Sequence, residues 1–496
     1  MTRNFLSLAA ITGALLLASA NPAKAQTYTF TDLGQSTSGI TGYSVANGIN
    51  NAGQVVGAST FASINDTTRY ATLWSSGSAT NLGAMVPRLS NNSAAYAISP
   101  TGQSVGYAPF SIDNTCECWY FGIAWNGITS ATVLPNFPNS GPALPLVGLG
   151  LASAINTAGL TVGFSSSGNP TGNFSSFPHA AAWSSGAVFD LGVLANYGAS
   201  YALGVNDSGL IVGWSQPVGN PFIPTQRATT WTGVLGTPTD LGALTGASGR
   251  SVANAVNTSG QIVGWTDTSS GRPHAFAYQA GSMTDLGVLP GFPSSQANAI
   301  NSNGVIVGTS AVPVLDGNLA AHAIIWQNGT ITDLNSLLSL TDAGAGWVLK
   351  SANGINDNGW IVGEAINTNG GSSHAFQLVP AVVRTAQVQQ PINADGSSLF
   401  KASRGAIPVV FTLSVSGAST CDLPAATIAV TRTSGGTVGS VDESVYTMAA
   451  DTGSNFRISD CQYVYNLGAK SLGVGTYRVD IKVGGQVAGS GVFGLR

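Results

Sequence analysis

Charge is scarce in this chain: only 8% of its 496 residues are Asp, Glu, Lys or Arg. Chains that stay disordered do so through high net charge and low hydropathy, and here 44% of the residues are apolar, so that class is excluded. Basic residues are too few for a nucleic-acid surface, with 17 Lys and Arg against 21 Asp and Glu and no basic run. Long apolar runs are missing as well. Beyond the first 25 residues no stretch reaches the roughly 18 uncharged apolar positions of a membrane helix, so no integral membrane segment is expected. Histidine and cysteine occur four times each, which leaves little material for metal sites or thiol chemistry.

What is present begins with a leader. Arg3 supplies a positive start, Phe5–Leu17 is an apolar run, and Ala23-Lys24-Ala25 offers a small-x-small cleavage site before Gln26. Residues 1–25 are therefore expected to be a signal peptide, and the mature protein to be secreted or held at the cell surface. Loss of Arg3 and Lys24 with the leader leaves 15 basic residues against 21 acidic ones. Export permits disulfides. The cysteines stand as Cys116 with Cys118 and Cys421 with Cys461, and spacing alone does not set their connectivity. If Cys421 and Cys461 pair, the closed loop of about 40 residues contributes on the order of 4 kcal/mol in the chain-entropy model. Cys-x-Cys lacks two further zinc ligands nearby, so neither a metal nor a cofactor is expected.

Glycine is abundant, with 64 copies, and it marks an internal repeat. An apolar-[Asn/Ser]-x-x-Gly-x-x-Val-Gly phrase starts at Asn50, Ser99, Asn156, Asn206, Asn257, Asn301 and Asn356. It reads as a hairpin: a short strand, a turn closed by glycine at positive φ, and a β-branched return strand. A third strand ends in an aromatic at Trp74, Trp125, Trp183, Trp231, Tyr278 and Trp326, with Leu378 in the last copy. A fourth ends in Asp-Leu-Gly or a relative, at Asp190, Asp240, Asp285 and Asp333. Four short strands per copy is the size of a propeller blade. The last copy lacks its fourth strand, whereas Thr31-Asp32-Leu33-Gly34 stands alone before the first. Assigning that orphan to the last copy closes the array and removes its open edges. The expectation is an all-β chain with a seven-bladed β-propeller over 26–381.

The phrases His274-Ala275-Phe276 and His374-Ala375-Phe376, together with the Asp-Leu-Gly strand and the glycine turn, resemble the HAF-repeat family of bacterial extracellular proteins. The resemblance covers roughly Tyr28 to Pro380 and implies an extracellular location without implying a chemistry. After a connection over 382–390, alternating strands appear in Ile407–Leu413, Thr427–Thr431 and Tyr477–Val483, which makes an Ig-like β-sandwich the expected fold of 391–496. Through Phe400-Lys401, Pro408-Val409-Val410-Phe411, Cys421, Cys461 and Tyr477-Arg478-Val479, this region is similar to the PxKF module of secreted bacterial proteins, although Val410 stands where that motif has lysine.

No catalytic constellation emerges. His179, His274, His322 and His374 all fall four residues before the repeated aromatic, where other copies carry Tyr70, Phe121 and Arg227. A position that recurs by repeat reads as scaffold, and so do the Asp-Leu-Gly aspartates, which are expected to bind turn amides. Asp207 and Asp357 sit in turns that lack the alternating oxygens of a calcium loop. The unrepeated acids Asp66, Asp113, Glu117, Asp267, Asp316, Asp342 and Glu364 carry the alternative reading, a carbohydrate-active hydrolase or lyase acting at the channel mouth.

Loop lengths favour binding. The hairpin turns are tight, whereas stretches such as 107–121, 165–178, 215–227 and 135–150 absorb the length variation, and in an up-and-down sheet these share one face. Phe110, Trp119, Tyr120, Phe137, Phe174, Phe222 and Phe292 gather there, with Cys116-Glu117-Cys118 as the centre of the best contact loop. The expected function is a monomeric, non-catalytic binding or structural protein that presents this face to a glycan or an extracellular protein. Self-association as a surface-layer component is the third possibility.

Overall fold

Each copy of the phrase folds into a hairpin that its own asparagine holds. In the fourth copy, strand Ala199–Val205 enters Asn206-Asp207-Ser208-Gly209 and returns as Leu210–Gln216. Gly209 takes φ of 81°, a conformation that a side chain disfavours. Asn206 Oδ1 accepts from the amide of Leu210 at 2.9 Å and from Ser208 Oγ at 2.8 Å, closing the turn from inside. Strands Arg227–Thr232 and Thr239–Asp240 then extend the antiparallel sheet outward in chain order.

The computed structural model describes residues 28–34, 42–61, 68–83, 92–110, 119–138, 149–166, 177–217, 226–313, 319–381, 384–401, 405–415, 418–421, 424–435, 451–483 and 486–496. The leader expected over 1–25 lies outside them. Two units divide the chain, Met1–Pro380 and Ala381–Arg496. Among the described residues, the first unit contains seven four-stranded antiparallel sheets and is propeller-like. The orphan strand Tyr28–Asp32 pairs with Ser373–Pro380, Tyr28 opposite Pro380 and Asp32 opposite Phe376, and so supplies the fourth strand of the last sheet. No helix among the described residues is long and apolar enough to cross a membrane.

Three kinds of contact join neighbouring sheets. The turn asparagine donates Nδ2 to the backbone carbonyl of the following copy's turn, at 2.9–3.2 Å, from Asn50, Asn156, Asn206, Asn257 and Asn301. Asn356 donates back to Asn50, joining the last copy to the first, at 3.0 Å. Indole Nε1 of Trp125, Trp183 and Trp326 donates to Leu82, Pro135 and Leu286 at the end of the preceding sheet. Apolar clusters fill the seams, as where Val162, Ala180 and Ala182 meet Ile211 and Trp231, and a buried indole contributes more apolar area than any other side chain there.

The glycine after valine in the phrase has a separate cause. In every sheet the first strand carries a β-bulge. The bulge brings a first-strand carbonyl to where a Cβ on that glycine would lie, 1.9–2.0 Å away at Gly57, Gly106, Gly163, Gly213, Gly264, Gly308 and Gly363. Only a residue without a side chain fits.

The second unit consists of two sheets over one core. One contains Arg384–Gln389, Ala406–Val415, Gln462–Gly468 and Arg457–Ser459, with Ala418–Ser419 at its margin; the other contains Leu399–Phe400, Gln486–Leu495, Gly475–Val483 and Ala426–Ser434. Phe400, Phe411, Tyr463, Tyr477 and Phe493 fill the space between them, and Phe411 stacks on Tyr463 at 4.4 Å. The three alternating segments read from sequence are all strands. The stretch 382–390, expected as a connection, instead carries strand Arg384–Gln389, paired with Val410–Val415. Its alternation is weak because Arg384, Thr385 and Gln387 are exposed along an edge, so polarity hid the strand. Cys421 and Cys461 are bonded to each other, with Cα atoms 4.8 Å apart.

Candidate functional site

The seven first strands surround a cavity of about 1190 Å³. The extra residue of each bulge lines it: Asn47, Tyr96, Ser153, Leu203, Asn254, Asn298 and Asn353, always three positions before the turn residue. A bulge re-aims one side chain out of the sheet's alternation, which accounts for this convergence. Asn47, Asn254, Asn298 and Asn353 donate Nδ2 to the carbonyls of Ala95, Ala297, Ala352 and Ala46 at 2.8–2.9 Å. Tyr96, Ser153 and Leu203 interrupt that amide belt on one side.

Aromatic rings cluster where the belt is interrupted. The residue after Val-Gly in the second strand is Tyr107, Phe164, Trp214 or Trp265 in four consecutive copies. Tyr96 stacks on Tyr107 with centroids 5.9 Å apart, Phe164 meets Tyr201 edge-on at 5.0 Å, and Tyr201 stacks on Trp214 at 4.2 Å with planes 19° apart. These offsets and edges follow the ring quadrupoles. Burial, with the neighbouring hydroxyls of Tyr107 and Tyr43, pushes the Tyr96 hydroxyl up to about 12, and burial also raises that of Tyr201. Both phenols therefore stay protonated at neutral pH.

Arg250 is the one charged residue lining the cavity among the described residues. Its guanidinium lies 5.6 Å from the Trp265 ring centroid and makes a two-pronged ion pair with Asp267, at 2.8 Å on each side. Burial opposes ionisation of Asp267, but hydrogen bonds from the side chain and amide of Arg250 outweigh it and hold the carboxyl below its usual range. The pair brings the lining close to electrical neutrality.

The loop residues picked from sequence are placed differently from one another. Phe110 and Trp119 are cross-strand partners at the end of one hairpin. Tyr120 beside them is 38% exposed and meets Tyr107 edge-to-face with ring centroids 5.5 Å apart, so this end of the hairpin adjoins the aromatic cluster. Phe137 and Phe292 pack on seam clusters, and Phe292 lies 4.8 Å from the His322 ring. Cys116, Glu117, Cys118, Phe174 and Phe222 lie outside the described residues.

Each histidine pairs through Nδ1 with the aspartate of its Asp-Leu-Gly strand: His179 with Asp190, His274 with Asp285, His322 with Asp333 and His374 with Asp32, at 2.7–3.0 Å. Arg227 does the same with Asp240. The aspartates also accept turn amides, as Asp190 does from Gly192 at 2.8 Å. Hydrogen bonding to Asp190 raises the His179 pKa above its ordinary value. For Asp190, burial pulls upward, but bonds from His179 and Gly192 outweigh it and lower the carboxyl. Asp207 accepts from the amide and hydroxyl of Thr157, and Asp357 from the amide of Ser302, so these turn acids tie neighbouring copies together. Among the described residues no three His, Cys, Asp or Glu side chains converge as metal ligands.

No family model matches this sequence, and no curated protein does. Among solved structures, an acylaminoacyl peptidase from Pyrococcus horikoshii aligns over 88% of this chain at 12% identity, TM-score 0.39, and the chain spans 57% of that protein. A GH32 β-fructofuranosidase from Bombyx mori aligns over 68% of the chain and 88% of its own length at 10% identity, TM-score 0.27. Likenesses this distant carry no functional argument.

Proposed function

We propose that this chain is a secreted or cell-surface, non-catalytic binding protein, whose first unit is a seven-bladed propeller of HAF-like repeats taking a glycan or protein ligand at its channel mouth. One observation carries the reading. Two positions that vary between otherwise regular copies, the bulge residue and the residue after Val-Gly, meet around a single cavity and put aromatic rings on one side of it. Scaffold positions repeat, whereas a binding site needs differences. Seven sheets in chain order, the orphan strand on the last sheet, and Asn356 reaching Asn50 support the blade count. The apolar run Phe5–Leu17, read as a leader, and the Cys421–Cys461 bond support export. The second unit is taken as a PxKF-like sandwich module on its two-sheet core.

The hydrolase alternative asks for two unrepeated acids. Of the seven, Asp267, Asp342 and Glu364 are among the described residues. Asp267 is engaged by Arg250, and Asp342 accepts from Ser339 Oγ at the start of the helix Leu340–Gly344. Trp214→Ala in the purified full chain is the direct test. It should weaken binding on a glycan and cell-surface protein array by about tenfold, as truncation of an aromatic anchor does, with little change in melting temperature. Unchanged binding would remove the channel mouth as the site.

A further inference from the structure

We infer that the channel mouth binds a neutral oligosaccharide, and that the Arg250–Asp267 pair excludes acidic ones; this rests on the reading that the channel is the binding site. A ligand carrying carboxylates or phosphates loses hydration on entering a cavity and needs a cation in return. Arg250 is the only candidate in the lining among the described residues, and Asp267 already holds it at 2.8 Å on two nitrogens. An incoming anion would meet the Asp267 carboxylate as a like charge. A cation fares no better, because Asp267 is equally satisfied.

The uncharged remainder of the lining has two textures. On one side the rings of Tyr201 and Trp214, stacked at 4.2 Å, together with Trp265 line the cavity with aromatic surface. Across the cavity the amide belt of Asn298, Asn353 and Asn47 offers polar groups with fixed orientation, since each Nδ2 is anchored on a neighbouring strand. A purely apolar guest such as an acyl chain would take the Tyr96 and Tyr201 hydroxyls and the second N–H of each of these amides out of water with nothing in return, at the cost of those lost hydrogen bonds. A sugar ring matches both, because its C–H face is apolar and its rim is hydroxylated. At about 1190 Å³ the cavity exceeds the roughly 300–1,000 Å³ of ordinary small-molecule sites, which leaves room for several rings.

The experiment is calorimetric titration of the purified full chain with hexasaccharides of glucose, xylose, mannose and galacturonate. At least one neutral hexasaccharide should bind about tenfold tighter than hexagalacturonate, and Trp214→Ala should lose about tenfold of that affinity. Trp214→Phe, which keeps a ring face, should lose less, and the melting temperature of each variant separates lost contact from lost fold. Asp267→Asn should free Arg250 and create affinity for hexagalacturonate. Equal or tighter binding of hexagalacturonate by the unaltered chain overturns the neutral class while leaving the channel as the site. Failure of every hexasaccharide to bind, with a protein or apolar ligand found instead and weakened by Trp214→Ala, does the same. A ligand indifferent to Trp214→Ala overturns both readings.

Discussion

Asn206 shows why the turn position takes asparagine and not aspartate. Its Oδ1 serves its own turn while Nδ2 reaches the carbonyl of Asn257 at 2.9 Å, and a carboxylate has no donor for the second task. Ser99 is the exception among the seven: its hydroxyl accepts from the Gln103 amide, but serine has no amide NH₂ to reach the next turn. Ser99→Asn should therefore add the missing link to Asn156 and stabilise the protein by roughly 1 kcal/mol, the net worth of one hydrogen bond, read as a rise in melting temperature. The histidine–aspartate pairs show a correlation within the chain itself. The two copies without the aspartate, carrying Asn81 and Val133, are the two with Tyr70 and Phe121 in place of histidine. Both halves of that pattern are visible in sequence, but only the register Ala181↔Asp190 makes them neighbours. The pair also sets a pH window. His179, with its pKa raised, stabilises fully below its ordinary 6.5 and loses that contribution as pH climbs through the raised value. Asp190, lowered, contributes above its ordinary 3.8 and loses it as pH falls through the lowered value. Relative to Asp190→Asn, the unaltered protein should gain most stability between those limits, in melting curves recorded across pH.

Among the elements, the hairpins, the outer strands and three strands of the second unit follow from alternation and turn chemistry. The bulge in each first strand does not, because an extra residue in a ladder is defined by the partner strand and leaves no local mark of its own. Its trace was the invariant Val-Gly. Gly213→Ala should place a Cβ about 1.9 Å from the Tyr201 carbonyl, and the forced shift should cost about 2–4 kcal/mol. Chemical denaturation will show it as a lowered midpoint with an unchanged slope. The aromatic cluster was missed for the same reason. Tyr107, Phe164, Trp214 and Trp265 sit inside strands, where rings read as ordinary core, whereas the longest loops drew attention through their length.

At the scale of the molecule, closure is the testable property. The strand Tyr28–Asp32 covers Ser373–Pro380, His374 pairs with Asp32 at 3.0 Å, and the Ala375 amide donates to Ser44 Oγ at 2.8 Å. Deletion of residues 28–34 in the mature protein should expose the Ser373–Pro380 edge. Loss of its ladder and of buried Tyr28 should lower the melting temperature by more than any single substitution above, and the open edge should promote self-association, seen by light scattering. A monomer with unchanged stability would mean that the last sheet does not need its borrowed strand.

Period, turn chemistry and copy number are local properties, and the amino-acid order alone determined them: an all-β chain, seven hairpins with glycine at positive φ, an unmatched strand at the start, and three alternating strands near the end. Which residues meet was decided by tertiary structure. Convergence of seven bulge residues on one cavity, the amide belt on one side of it and the neutralising grip of Asp267 on Arg250 all depend on strand register and on neighbouring sheets, and these join residues far apart in the chain through contacts that no local pattern encodes.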